Sequence, residues 1–254
     1  MAAVNRAARV GGRFASVALV TVFLAGSATT LRGEASNATV ATTPMVTGAE
    51  HSAPVPLATM RRAADLRAPA SLVAAGLSLR AGAVPVPLVL QIPSIGVNAA
   101  VVGVGLTSQN VMDAPEGPAS DPVWQQAFWY RGSAVPGVAS TALIAGHIDD
   151  PLGRPGSFGR IDRLRRGDVI ILHDTRTGLN VRFAVTASKA YTLAQATDRS
   201  VLTGMYGSGP VAGTKPQRSK DGLAHLTLVT CSGTFDHSLG THDHRLVVFA
   251  TRIA

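Results

Sequence analysis

From Leu88 onward the chain is a series of short apolar runs, each cut off by Gly, Pro or Asp, and that texture restricts the fold to one built of many short strands. Leu88–Ile92 and Val97–Val104 read as strands broken by Pro93-Ser94-Ile95-Gly96. Thr141–Ala145 reads as a short buried strand. Asp168–His173 and Asn180–Ala187 are joined across Asp174-Thr175-Arg176-Thr177-Gly178, a turn-rich hairpin connection. Leu223–Thr230 and Leu246–Ile253 supply the last two runs. Helical signals are few. Ser157 is placed to cap a short helix with Phe158, Ile161 and Leu164 on one face, ending at Gly167. A turn of helix is expected over Leu193–Leu202. With no internal repeat, this pattern predicts an all-β barrel or sandwich.

The first third of the chain has a different texture. It is rich in Ala, Pro, Thr and Val, while both tryptophans and all three tyrosines lie later. Residues 85–254 are long enough for one domain with its own core. Arg6, Arg9 and Arg13 precede an apolar stretch from Phe14 to Ala25, followed by Gly26-Ser27-Ala28. That is the shape of an export signal. Read through Leu31, the stretch approaches the ~18 residues that span a bilayer. Residues 1–31 are therefore expected to be a signal peptide or an uncleaved signal anchor, with the C-terminal domain outside the membrane in either case. Pro44, Pro54, Pro56 and Pro69 interrupt any long helix in residues 32–84. Those residues read as a disordered linker, with short amphipathic turns at Leu57–Leu66 and Leu72–Leu79, and a root-mean-square span of about 40 Å.

The formal charge is +8 and the basic residues are almost all arginine. Nucleic-acid binding would require basic residues clustered with stacking aromatics, and no such run is present, so no nucleic-acid partner is expected. A basic face toward anionic lipid or wall polymer, or a compositional bias alone, fits the same number.

Cys231 is the only cysteine, so it closes no intramolecular disulfide. It is a buried apolar filler, an intermolecular crosslink or a reactive nucleophile. A nucleophilic thiol requires a group that accepts its proton or lowers its pKa, and histidine is the usual one. Of the seven histidines, His51 falls in the linker and His173 reads as a solvated hairpin residue. His225 lies ~20 Å up the strand that leads to Cys231. His147 follows the apolar run Thr141–Ala145 and Gly146, which places an imidazole at a strand end; a loop histidine bonded to Asp149 is the competing reading. Arg245 precedes the last apolar run. If that run pairs with the one carrying Cys231, a loop over residues 232–244 brings the two side chains together, and a guanidinium there stabilises developing negative charge. The competing reading is a solvated arginine at a strand start. Cys231, His237, His242, Asp243 and His244 also form a possible zinc set, although structural zinc sites usually show paired ligands.

These segments resemble the sortases. Thr227-Leu228-Val229-Thr230-Cys231 is similar to the family's T-L-x-T-C signature. Ile144-Ala145-Gly146-His147 resembles the segment carrying its catalytic histidine, and Arg245-Leu246-Val247-Val248-Phe249-Ala250 the arginine that opens its last strand. The similarity extends to Leu90-Gln91-Ile92-Pro93, Ile95-Gly96-Val97, Phe128-Trp129-Tyr130, Pro136-Gly137 and Leu164 with Gly167-Asp168. The resemblance implies a closed eight-stranded sortase-type β-barrel, and a transpeptidase on the outer face of a Gram-positive membrane. It implies cleavage of an L-P-x-T-G-like sorting signal at the Thr–Gly bond through a thioacyl-enzyme. In that reading Cys231 is the nucleophile and His147 protonates the leaving amine. Arg245 holds the substrate backbone or the oxyanion, and Thr230 and Gly146 belong to the substrate-binding set. Its partners are secreted proteins bearing the signal and an amine of cell-wall precursor; no metal or other cofactor is implied. Ser232-Gly233-Thr234-Phe235-Asp236 resembles the actinobacterial class F type, with class E as the alternative. Thr241-His242-Asp243-His244 departs from the Tyr-x-Asp-Asn run common before the last strand in class F.

Overall fold

A computed structural model describes residues 79–207 and 216–254. Within them the apolar runs become β1 (Val84–Ile92), β2 (Val97–Val104), β3 (Ala127–Tyr130), β4 (Thr141–Gly146), β5 (Val169–Asp174), β6 (Asn180–Thr192), β7 (His225–Asp236) and β8 (Thr241–Arg252). They close into one barrel in the order β1-β2-β3-β4-β7-β8-β6-β5, as the barrel reading expects. β2 pairs with β3 and β4 with β7 in parallel; the other neighbours are antiparallel. A parallel pair cannot be joined by a tight turn and requires a crossover. Residues 105–126 cross between β2 and β3, and the β5–β6 hairpin lies between β4 and β7 in the chain.

Alternation along the strands sorts the side chains into two cores. Leu90, Ile92, Val101, Ile144, Leu172, Phe183, Leu228 and Val248 fill the barrel interior. The intervening residues of β3, β4, β7 and β8, among them Phe128, Leu143, Ala145, Val229 and Val247, form a second core on the outer face. Two helices follow β6: α1 (Leu193–Ala196) and α2 (Arg199–Tyr206). Leu202, Met205 and Tyr206 of α2 join that outer core, with Met112, Val123 and Trp124 from the 105–126 crossover. β4 is consequently buried on both faces along its whole length, which is why it reads as an unbroken apolar run.

Several elements differ from the sequence expectation. Between Cys231 and Arg245 there is no long loop: β7 runs on to Asp236, β8 begins at Thr241, and only residues 237–240 turn. Apart from Cys231 and Phe235 the added residues are polar or glycine, so no apolar run marks them. β6 likewise continues to Thr192. The helix expected from Ser157 is a single 3-10 turn at Ile161–Arg163, yet Phe158, Ile161 and Leu164 all reach the interior core. Ser157 donates its hydroxyl to the Gln126 carbonyl instead of capping a helix. The 193–202 signal resolves into two helices, because Thr192 caps α1 in a reciprocal box with Gln195 and Asp198 caps α2. The segment expected to export or anchor the chain, and nearly all of the linker, lie outside the described residues. Among the described residues no helix is long and apolar enough to cross a membrane.

Leu228 is fully buried at the barrel centre. Leu228→Ala is expected to destabilise the fold by about 2–5 kcal/mol, read as a lower urea midpoint at an unchanged slope. A loss below ~1 kcal/mol would contradict a close-packed interior.

Candidate active site

β4 and β7 run side by side in parallel with Ala145 opposite Val229. Carrying the register two residues further sets His147 opposite Cys231. On its other side β7 pairs with β8, and there Cys231 lies directly opposite Arg245. By alternation His147, Cys231 and Arg245 all leave the same, outer face of the barrel. Thr230 points the other way and is 1 % exposed. Its hydroxyl donates to the Gly146 carbonyl at 2.8 Å, which ties the end of β4 to the middle of β7 one residue before His147 and Cys231. Gly146 itself packs against Phe158: a Cβ there would stand 2.6 Å from the ring. The two residues placed in the substrate-binding set thus have their polar and packing contacts directed into the protein.

Arg245 is 1 % exposed, which excludes the solvated-arginine reading. Nη1 donates to the carbonyls of His242 (2.9 Å) and His244 (2.8 Å), and Nη2 to Thr241 Oγ1 (3.1 Å). Burial draws its pKa down and the Cys231 charge raises it, but a guanidinium so far above neutral stays charged.

His147 is not bonded to Asp149, as the loop-histidine reading requires. Its Nε2 lies 2.9 Å from the Pro115 carbonyl. A carbonyl only accepts, so Nε2 carries the hydrogen and Nδ1 is the basic nitrogen of the neutral ring. Trp124 lies tilted against the imidazole at 4.5 Å between centroids, and Phe128 meets it edge-on at 5.2 Å. Burial in this cage pushes the His147 pKa below its ordinary value; the Pro115 bond and the charges of Glu116 and Asp149 act against the shift.

Cys231 is 6 % exposed. Burial pushes its thiol up, Arg245 and a hydrogen bond from Thr241 pull it down, and Asp149 and Glu116 push it up further. The raised thiol and lowered imidazole both favour the neutral pair near pH 7, so the thiolate–imidazolium form is a minority until charge develops on bound substrate.

The other polar candidates disperse. His225 bonds Thr251 and Asp221, and His173 bonds Asn180. His237 packs on Phe235, His242 meets Asp149, and His244 meets Asp243. Among the described residues no three His, Cys, Asp or Glu side chains converge as a metal site. Two residues at the site had no sequence signal: Thr241 beside the thiol and Pro115 beside His147. Thr241 accepts from Arg245, and its own hydrogen is left for the Cys231 sulfur. It comes close only because β7 and β8 form a continuous hairpin. Pro115 acts through a backbone carbonyl, which no side-chain pattern reveals.

Residues 90–253 match the family model for the sortase domain, well over half of the chain, and the chain belongs to the sortase family of cysteine transpeptidases. Among solved structures it is similar to sortase C-1 from Actinomyces oris, at 18 % identity and a TM-score of 0.44, covering 67 % of this chain and 75 % of that one. It is also similar to a lid mutant of sortase A from Corynebacterium diphtheriae, at 20 % identity and 0.43, covering 69 % and 73 %. A third is a pilus-related sortase C of Group B Streptococcus, at 17 % identity and 0.44, covering 67 % and 68 %. No curated protein sequence matches the chain.

With a single cysteine, thiol reactivity reports one site. The rate of Cys231 alkylation by iodoacetamide is expected to climb with pH through and above the ordinary thiol range, without an acidic plateau. Thr241→Val removes a donor to the thiolate, and its inflection should move up by about one pH unit, with Thr241→Ser restoring it. An inflection unchanged in Thr241→Val would refute the Thr241–sulfur contact.

Proposed function

We propose that this chain is a membrane-tethered extracellular sortase that cleaves an L-P-x-T-G-like signal between Thr and Gly and transfers the protein to a cell-wall amine. The observation that carries the reading is the register that lines up His147, Cys231 and Arg245 on three adjacent strands and one face. In this mechanism the Cys231 proton passes to His147 Nδ1 as the sulfur attacks the threonyl carbonyl carbon. Arg245 donates to the developing oxyanion or to the substrate backbone beside it. The C–N bond to glycine then breaks, and the departing amine takes the proton from His147. An amine from wall precursor, or water, resolves the thioacyl-enzyme. Thr230 and Gly146 serve this reading by tying β4 to β7 rather than by touching the peptide. Residues 1–31 would be the signal or anchor, 32–84 the tether and 85–254 the catalytic domain. The sequence from Ser232 to Asp236 favours class F, with class E as the alternative.

One observation favours a second reading. The thiol is almost buried and its pKa is pushed up, as in an extracellular binding module whose cysteine is not catalytic. The two readings part in a single experiment. Protein incubated with a small library of sorting-signal peptides is expected to gain a peptide thioacyl mass on Cys231. Cys231→Ala should show no adduct while keeping its fold, and His147→Ala should lower adduct formation by at least about 100-fold. No adduct from any peptide, with alkylation unaffected by His147→Ala, would favour the binding module.

A further inference from the structure

His242 stands between the two ends of the site. Its Nδ1 meets the carbonyl oxygen of Gly233, two residues past Cys231, at 3.2 Å. Its Nε2 meets the carboxylate of Asp149, two residues past His147, at 3.2 Å to Oδ2 and 3.4 Å to Oδ1. The side chain is only 12 % exposed. Phe235 packs edge-on against the ring at 5.4 Å, and the His242 carbonyl accepts from Arg245. A backbone carbonyl and a carboxylate both accept hydrogen bonds, whereas a neutral imidazole carries one N–H. The two bonds therefore coexist only on the doubly protonated ring.

We propose that His242, as an imidazolium, is a positioning residue that clasps the segment after β4 to the stretch of β7 between Ser232 and Phe235, where the β7–β8 register shifts, and so holds His147 beside Cys231. The proposal rests on the reading of those two residues as the reacting pair. Loss of a proton from His242 breaks one of its two bonds and removes this link between Asp149 and Gly233, leaving the segment after β4 held to β7 by the strand pairing and the Thr230–Gly146 bond behind it. A second effect runs in the same direction. Asp149 opposes thiolate formation at Cys231, and a cation bonded to Asp149 offsets that field. The charged and titratable groups facing His242 come from three directions. Asp149 approaches from the segment after β4. Asp243, His244 and Arg245 adjoin it on β8, with Asp243 also accepting from the Thr234 amide beside Gly233. His237 packs on the same Phe235 ring at 5.1 Å.

The test compares wild type, His242→Gln and His242→Arg by iodoacetamide alkylation of Cys231 from about pH 5.5 to 8.5, with the ring nitrogens of His242 followed by ¹⁵N NMR. Wild type is expected to react about tenfold faster than His242→Gln at the acid end. The ratio should fall toward one as NMR shows the His242 ring losing its second N–H. His242→Arg keeps two donors at every pH and should restore the wild-type acid-end rate. A wild-type to His242→Gln ratio that does not change with pH, or a His242 ring with one N–H throughout, would overturn the clasp. A merely structural role gives that flat ratio. Because no peptide is used, a failed clasp leaves the thioacyl-adduct experiment standing, and a missing adduct does not alter these rates.

Discussion

The parallel pairing of β4 with β7 is the contact on which the rest of the site depends. It is the pairing that a small hairpin fold cannot make, because the strands it joins are separated in the chain by the β5–β6 hairpin and both helices. Once it forms, the register alone delivers an imidazole and a thiol from distant parts of the sequence to neighbouring positions. A slip of one residue would turn every β7 side chain to the opposite face and send Cys231 into the barrel interior. The Thr230–Gly146 hydrogen bond and the two-sided burial of β4 resist such a slip. The β7–β8 ladder then adds Arg245 at no further topological cost, since those strands are consecutive.

Burial and charge oppose each other at the thiol. The outer core that positions Cys231 also strips it of water, which favours the neutral sulfur, and Arg245 and Thr241 only partly offset this. The same exclusion of water strengthens any hydrogen bond Arg245 makes to a charge that appears during reaction. A resting site with a neutral thiol and a neutral histidine is consistent with charge being stabilised mainly when substrate is present. It also protects the chain's single thiol from oxidation, because the thiolate is the reactive species.

Much of this was legible in the sequence where side-chain chemistry is local. The bounds of β2 and the starts of β4 and β6 follow from apolar runs and their punctuation. Cys231, His147 and Arg245 stood out because each sits at the edge of such a run. β3 escaped as a strand because four residues carry little periodicity, and its parallel pairing to β2 is a tertiary fact. The long β7–β8 hairpin escaped because its outer ladder is polar, so Ser232–His244 read as loop. Contacts through backbone, such as Pro115 with His147, or through a cross-strand hydroxyl, such as Thr241, exist only once the barrel closes. The helix expected after Ser157 failed for a related reason: its three apolar residues do face the core, but from tight i→i+3 turns, in which Ile161 N–H bonds the Phe158 carbonyl and Leu164 N–H the Ile161 carbonyl, rather than from an α-helix.

The proposed function requires the Cys231 sulfur to attack a threonyl carbonyl held between His147 and Arg245. The most direct measurement is a crystal structure of the chain reacted with a sorting-signal peptide that carries an electrophile in place of the threonyl carboxyl group. The account predicts continuous density from Cys231 Sγ to the peptide, with an Arg245 guanidinium nitrogen within ~3.5 Å of the trapped oxygen or the adjoining peptide backbone. A peptide bound elsewhere, with Cys231 unmodified and His147 still closed against Pro115, would contradict it.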